Sequence, residues 1–240
     1  MQASDGKANE GKANEGKALE TDVDGTSYAR IPLKTKVVMP EDDLDAVITE
    51  YAADAVQPGD ILFVTEKIVA ITQGRSYRLD EIQPRKLALF LSKYFTRTPH
   101  GIGLGMPETM EMALRECGTP RILFAAAVAA VTKAFGRKGD FYRIAGDKAR
   151  AIDGPTSGTI PPYNQAVVLG PKNPRGVAAH VQTLIGGKAE VAVVDINDLG
   201  GNILGSTLDR AGEDRLVRIL KDNPLGQGHQ STPMGIIRAV

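Results

Sequence analysis

The chain predicts an α+β fold of mixed sheets with helices, and three observations carry that expectation. Apolar runs of strand length, such as Val191 to Val194, are bounded by charge. Between them lie stretches whose apolar residues recur at i, i+3, i+4 and i+7, as in amphipathic helices. The two kinds alternate irregularly, with several helices following helices, which argues against a regular barrel or a simple doubly wound sheet; two lobes would accommodate it.

Composition narrows the function classes. At 240 residues, 42% hydrophobic and 24% charged, the chain can bury a sizeable core. The 29 basic and 29 acidic side chains cancel, so neither nucleic acid nor an anionic membrane is an expected partner. Cys117 is the single cysteine, which excludes an internal disulfide or a multi-cysteine zinc site and fits a reducing compartment. The longest apolar run, Ile122 to Val131, is half of what a membrane span needs, and the N-terminus lacks the basic start and apolar core of a secretory signal. A cytoplasmic location follows by default.

In chain order, residues 6 to 20 repeat GKANE, GKANE, GKALE with almost nothing to bury, so residues 1–25 are expected to be a disordered tail and residues 26–240 the folded α+β part. A strand is expected to start near Tyr28 and to contain Ile31 and Val37 to Met39. A helix should open at Pro40 and bury Leu44, Val47, Ile48, Tyr51, Ala52 and Ala55. After a Pro58-Gly59-Asp60 turn, Ile61 to Thr72 reads as two strands joined at Glu66 and Lys67 and closed by Gln73-Gly74-Arg75. Helices are expected over 84–95, 107–116 and 120–135, then a strand at Phe141 to Ile144. Pro161 and Pro162 make a rigid loop able to hold Asp153. Asn173-Pro174 caps a helix to Ile185 that contains His180, read as structural. The strand Val191 to Val194, a helix from Asp209 to Lys221 and a terminal strand from Met234 complete the chain.

The candidate chemistry centres on Asp195, Asn197 and Asp198, which follow that strand and precede Gly200 and Gly201. Ligands of open α/β sheets bind beyond the strands' carboxyl ends, and closely spaced carboxylates suit a hard divalent cation carrying phosphates. The same residue types also make hairpin turns, and that alternative stays open.

Four stretches, in order, carry a resemblance: Gly59-Asp60-Ile61-Leu62-Phe63-Val64-Thr65-Glu66-Lys67 running on to Gly74-Arg75; Ala151-Ile152-Asp153 with Ile160-Pro161-Pro162; Val193-Val194-Asp195-Ile196-Asn197; and Gly226-Gln227-Gly228 before the terminal strand. Together they are similar to the coenzyme F-420-0:L-glutamate ligases, over roughly Tyr28 to the C-terminus. The resemblance implies a two-lobed fold, a homodimer and GTP-dependent amide formation, in which a carboxylate is activated as an acyl phosphate and glutamate's amine displaces the phosphate. It implies Mg or Mn on Asp153 and Asp195, drawn together in one cavity, with Gln227 as a further ligand. Lys67 would act with them in catalysis. Arg75, Gly74, Asn197 and His229 would bind nucleotide or substrate, the substrates being a small-molecule carboxylate and amine. The sequence departs from the family pattern at Ala70, Ile71, Gln73, Ile196 and Gln227, the last replacing a carboxylate by an amide. The departures at Ala70, Ile71, Ile196 and Gln227 favour an alternative, a non-catalytic nucleotide or small-ligand binding protein, and the flexible Gly226-Gln227-Gly228-His229-Gln230 loop suits a further one, a different metal-assisted reaction with His229 as general base or ligand.

Overall fold

The structure is a computed structural model that describes residues 18–95, 103–137, 139–156, 158–197, 200–225 and 230–240. The strands are β1 (Glu20–Val23), β2 (Thr26–Leu33), β3 (Ile61–Thr65), β4 (Ser76–Arg78), β5 (Ala166–Val168), β6 (Glu190–Asn197), β7 (Gly200–Ser206) and β8 (Met234–Ala239). The helices are α1 (Leu44–Tyr51), α2 (Glu66–Thr72), α3 (Lys86–Leu91), α4 (Pro107–Glu116), α5 (Thr119–Ala134), α6 (Asp140–Ala145), α7 (Asp147–Arg150), α8 (Pro174–Leu184) and α9 (Arg210–Ile219). This is the expected α+β architecture. The chain divides into two compact units. A sheet unit takes the residues up to Val38, Asp43–Glu66 and Asn173–Val240, and a helical unit takes Met39–Asp42 and Lys67–Lys172.

Among the described residues the sheet unit holds six strands in the order β1-β2-β8-β3-β6-β7. Of these pairings only that of β3 with β6 is parallel, in register from Ile61 with Glu190 to Thr65 with Val194. Phe63, Ala192, Val194 and Ile237 pack on one face against Leu216, Ile219 and Leu220, from α9 and the residue after it. The alternate face carries α8, which approaches so closely that Gly205 of β7 meets the backbone of Pro174 and Arg175. Asp60 is buried and takes a fork of bonds from Arg238, Nε to Oδ1 at 2.9 Å and Nη2 to Oδ2 at 2.7 Å, tying the start of β3 to β8.

Four expectations are corrected here. The tail does not run to Gly25: β1 forms from Glu20 and pairs with β2 through an Asp24-Gly25 turn in which both residues have positive φ, 54° and 79°. That is the two-residue hairpin geometry Asp-Gly favours, and the signal was present in the sequence; residues 1–17 lie outside the described residues. Val37 to Met39 forms no strand, and α1 starts at Leu44 rather than Pro40, with Asp43 as cap accepting from the Asp45 amide at 2.8 Å. Asp195 does not sit at a strand's end, because β6 continues to Asn197 and pairs with β7.

In the helical unit two expected strands are helices. The second half of the Ile61 to Thr72 run is α2, with Ile68, Val69, Ala70 and Ile71 all buried. Burial on every side erases helical periodicity, and β-branched residues then read as strand. Phe141 to Ile144 lies in α6, bracketed by Gly139 and Gly146 at φ 87° and 89° and burying Phe141 and Ala145 four residues apart. The core of this unit joins Leu104, Met110, Leu114, Ile122, Phe141 and Val167. Cys117 is half-buried, and burial, then the neighbouring Glu116, pushes its thiol up, as suits a packing residue. Among the described residues no helix is long and apolar enough to cross a membrane.

Glu111 on α4 is 1% exposed and accepts from the Arg85 amide at 3.1 Å, Arg85 Nε at 3.0 Å and Arg115 Nε at 2.8 Å. Burial alone would raise its carboxyl, but the Arg85 and Arg115 bonds outweigh it and hold the group below its usual range. Such a carboxyl stabilises the fold above its unfolded pKa of about 4.3 and loses that contribution as pH falls through the lower folded value. Glu111→Gln is therefore expected to destabilise by on the order of 1–3 kcal/mol near neutrality and to flatten the acid limb of the stability profile. Urea unfolding between about pH 2 and pH 7 checks this, and identical acid limbs in parent and variant would refute it.

Candidate functional site

Lys67 and Asp153 meet in the helical unit. Lys67 lies in the first turn of α2, and its Nζ is 2.5 Å from Asp153 Oδ2. Asp153 is fixed by its backbone: its amide donates to the Val168 carbonyl at 2.8 Å and its carbonyl accepts from the Val168 amide at 2.9 Å. Val168 belongs to β5, whose partner β4 follows directly on the end of α2. The main chain around both residues is thus constrained, while their side chains remain 34% and 42% exposed. A pair so open to water contributes little to stability and can be rearranged by a charged ligand.

The turn between α2 and β4 explains two further candidates. The Gly74 amide donates to the Ile71 carbonyl and the Arg75 amide to the Ala70 carbonyl, both at 2.9 Å, with Gly74 at φ 68°. This is the Schellman arrangement of a helix end, so the need for glycine at 74 is conformational. Arg75 is buried, its Nε donating to the Gly170 carbonyl at 2.6 Å and its Nη2 to Glu116 Oε1 at 2.8 Å. Expected to face a phosphate, its guanidinium instead braces the exit of β5 against the end of α4. Gln73, a departure from the family pattern, is taken up in structure: its side-chain amide accepts from the Lys172 amide at 2.6 Å and donates to the Lys172 carbonyl at 2.9 Å. A carboxylate could only accept there.

The loop that follows Asp153 carries a cis Pro161-Pro162 bond, and Thr156 and Thr159 share a 2.8 Å hydroxyl contact. Tyr163 anchors its far end. It is buried, and burial, then the nearby Glu41 and Asp42, push its phenol up to about 12, so it stays protonated at any working pH.

Asp195 belongs to the sheet unit. It pairs with Asn202, one residue past the last parallel pair of β3 and β6, and is partly buried. The adjacent Ile196 packs against the apolar cluster of the sheet, so strand alternation turns Asp195 to the opposite face. Asn197 ends β6 opposite Gly200. Asp198, Gln227 and His229 lie outside the described residues. His180, read as structural, has a partner that its own helix did not reveal: its Nε2 sits 2.9 and 2.8 Å from the two carboxylate oxygens of Asp45 on α1.

Among the described residues no group of three or more His, Cys, Asp or Glu side chains is placed to hold a metal ion. Asp153 supplies one accessible carboxylate with an ammonium already on it. The described donors therefore do not complete a cation site by themselves.

What sequence reasoning missed are the supports of the pair: Val168, Gly170 and Glu116. Each acts through a backbone group or a distant partner, and no local pattern marks such a role. In comparison with known proteins, the family model described as F420-0:Gamma-glutamyl ligase matches residues 32–207. No curated protein matches the chain.

Proposed function

Because the chain belongs to the F420-0:gamma-glutamyl ligase family, we propose that it is a gamma-glutamyl ligase using GTP and a divalent cation, Mg or Mn. The Lys67–Asp153 pair carries this reading, accessible at its charged ends and fixed at its backbone. In the reaction a carboxylate oxygen of the coenzyme attacks the γ-phosphorus of GTP, and GDP leaves. Glutamate's amine nitrogen then attacks the acyl carbon, the amide bond forms, phosphate departs and the amine loses a proton. The cation, when bound, neutralises triphosphate charge, and Asp153 and Asp195 are each proposed as carboxylate ligands to it.

The chain's own contribution is electrostatic. The Lys67 ammonium, held beside the reacting groups by α2, stabilises the negative oxygens that gather on the phosphoryl group. Asp153 keeps that ammonium oriented until substrate arrives, and Val168 keeps Asp153 in place. Arg75 supports the site from beneath through Gly170 and Glu116.

A non-catalytic binding protein is the second reading, and one observation favours it: positions where the family pattern has polar chemistry are here built into structure. Ala70 and Ile71 are buried, Gln73 is bonded to Lys172, and Ile196 packs on the core. Incubation with coenzyme F420-0, L-glutamate, GTP or ATP, and Mn or Mg separates the two, with mass spectrometry for the glutamyl adduct. The ligase reading expects product, its loss on adding EDTA, and a rate on the order of a hundredfold lower in Asp195→Ala. Nucleotide binding by calorimetry without any product would establish the second reading. A homodimer in the cytoplasm completes the proposal, to be checked by sedimentation and fractionation.

A further inference from the structure

Gly170 stands just beyond β5, and a Cβ built on it would lie 2.6 Å from the Ala151 Cβ. Carbon atoms in contact sit about 3.5–4.0 Å apart, so a side chain there would have to drive the Ala151 segment away by roughly 1 Å. The φ of Gly170 lies outside the left-handed region, and no other atom beside Ala151 comes within 4 Å. Contact with Ala151, and not backbone strain, is what demands a glycine.

That contact is two residues from Asp153. The strand side of it is held firmly: Arg75 Nε bonds the Gly170 carbonyl at 2.6 Å, and the Arg75 carbonyl accepts from the Leu169 amide at 3.0 Å. The Ala151 side has to yield, and with it the two-way bridge between Asp153 and Val168. We propose that Gly170 is a positioning residue for the Lys67–Asp153 pair: the absence of its side chain lets the segment from Ala151 to Asp153 lie against β5, where the carboxylate meets Lys67. This rests on the reading of that pair as part of the ligase site.

The test compares the parent with Gly170→Ala, Ala151→Gly and the double variant A151G/G170A, in which the methyl group changes sides. Amide exchange at Asp153, read by NMR, is expected to rise at least about tenfold in Gly170→Ala, with protection in β3 and β6 unchanged. With F420-0, L-glutamate, GTP and Mn, kcat should fall by about 10- to 100-fold, and KM should stay within about threefold. The double variant should return both quantities to within about threefold of the parent. Parent-like exchange at Asp153 in Gly170→Ala overturns the proposal, as does a folded double variant that restores neither quantity. Should Gly170→Ala fail to fold, the double variant alone decides, by the same criterion. If the parent shows no turnover, the ligase reading falls, and the exchange at Asp153 with its rescue still judges the positioning role.

Discussion

Replacing Gly205 by alanine is expected to destabilise the sheet unit by on the order of 3 kcal/mol, a fall of roughly 6–12 °C in Tm. A Cβ at Gly205 would fall on the backbone nitrogen of Arg175 and 2.6 Å from both the Arg175 Cα and the Pro174 carbonyl carbon. These are main-chain atoms in the first turn of a capped helix, where the Asn173 side chain accepts from the Gly176 amide at 3.2 Å, so no rotamer change relieves the overlap. Either α8 lifts from β7 or the strand bends, and both expose apolar surface buried by Ala178 and Val181. Gly201→Ala in the same strand is the control. Its Cβ would meet only the Ile196 side chain, at 3.3 and 3.7 Å, which can shift. Thermal unfolding of the two variants decides: a Gly205→Ala protein melting within about 2 °C of the parent would show that α8 does not approach β7 in this way.

Asp153→Asn is expected to lower kcat of the ligase reaction by on the order of a hundredfold while barely moving stability. Asparagine keeps the shape and the backbone bridge to Val168, and removes only the charge that faces Lys67. An exposed ion pair contributes about 0–1 kcal/mol, so the melting temperature should hold. Lys67→Gln should behave alike, and the double variant should lose less than the product of the single effects, because the two side chains act together. Steady-state rates and melting curves on the same preparations make the measurement. Full activity in Asp153→Asn would remove the pair from the mechanism. A loss of several kcal/mol with activity retained would make it a structural contact instead.

How far the sequence alone leads can be judged residue by residue. Proline and cap signals are legible at Pro107, which opens α4, and at Asn173-Pro174, which opens α8, but not at Pro40, since α1 opens only at Leu44. The reading failed at α2, where burial on every side leaves no helical periodicity to read, and at α6, whose six residues are too few for the i, i+4 spacing of Phe141 and Ala145 to stand out. β7 escaped because Gly200, Gly201 and Gly205 are poor strand formers in isolation, and only the packing of α8 explains the last of them. In the candidate site, Lys67 and Asp153 were named on family pattern, and the structure brings them into contact. Arg75 shows the opposite limit. A charged residue beside a glycine looks like a phosphate ligand until Glu116 and the Gly170 carbonyl are found on it.

The strand order of the sheet also bears on how the protein is made. β8, made after the other described strands, inserts between β2 and β3, so the hairpin of β1 and β2 has no sheet to join until then. Lys67–Lys172 emerges from the ribosome well before that moment with its own apolar cluster complete. In the nascent chain the edges of β2 and β3 that β8 will pair therefore stay open until the end of synthesis of that strand, and open edges are where strand pairing with other chains begins.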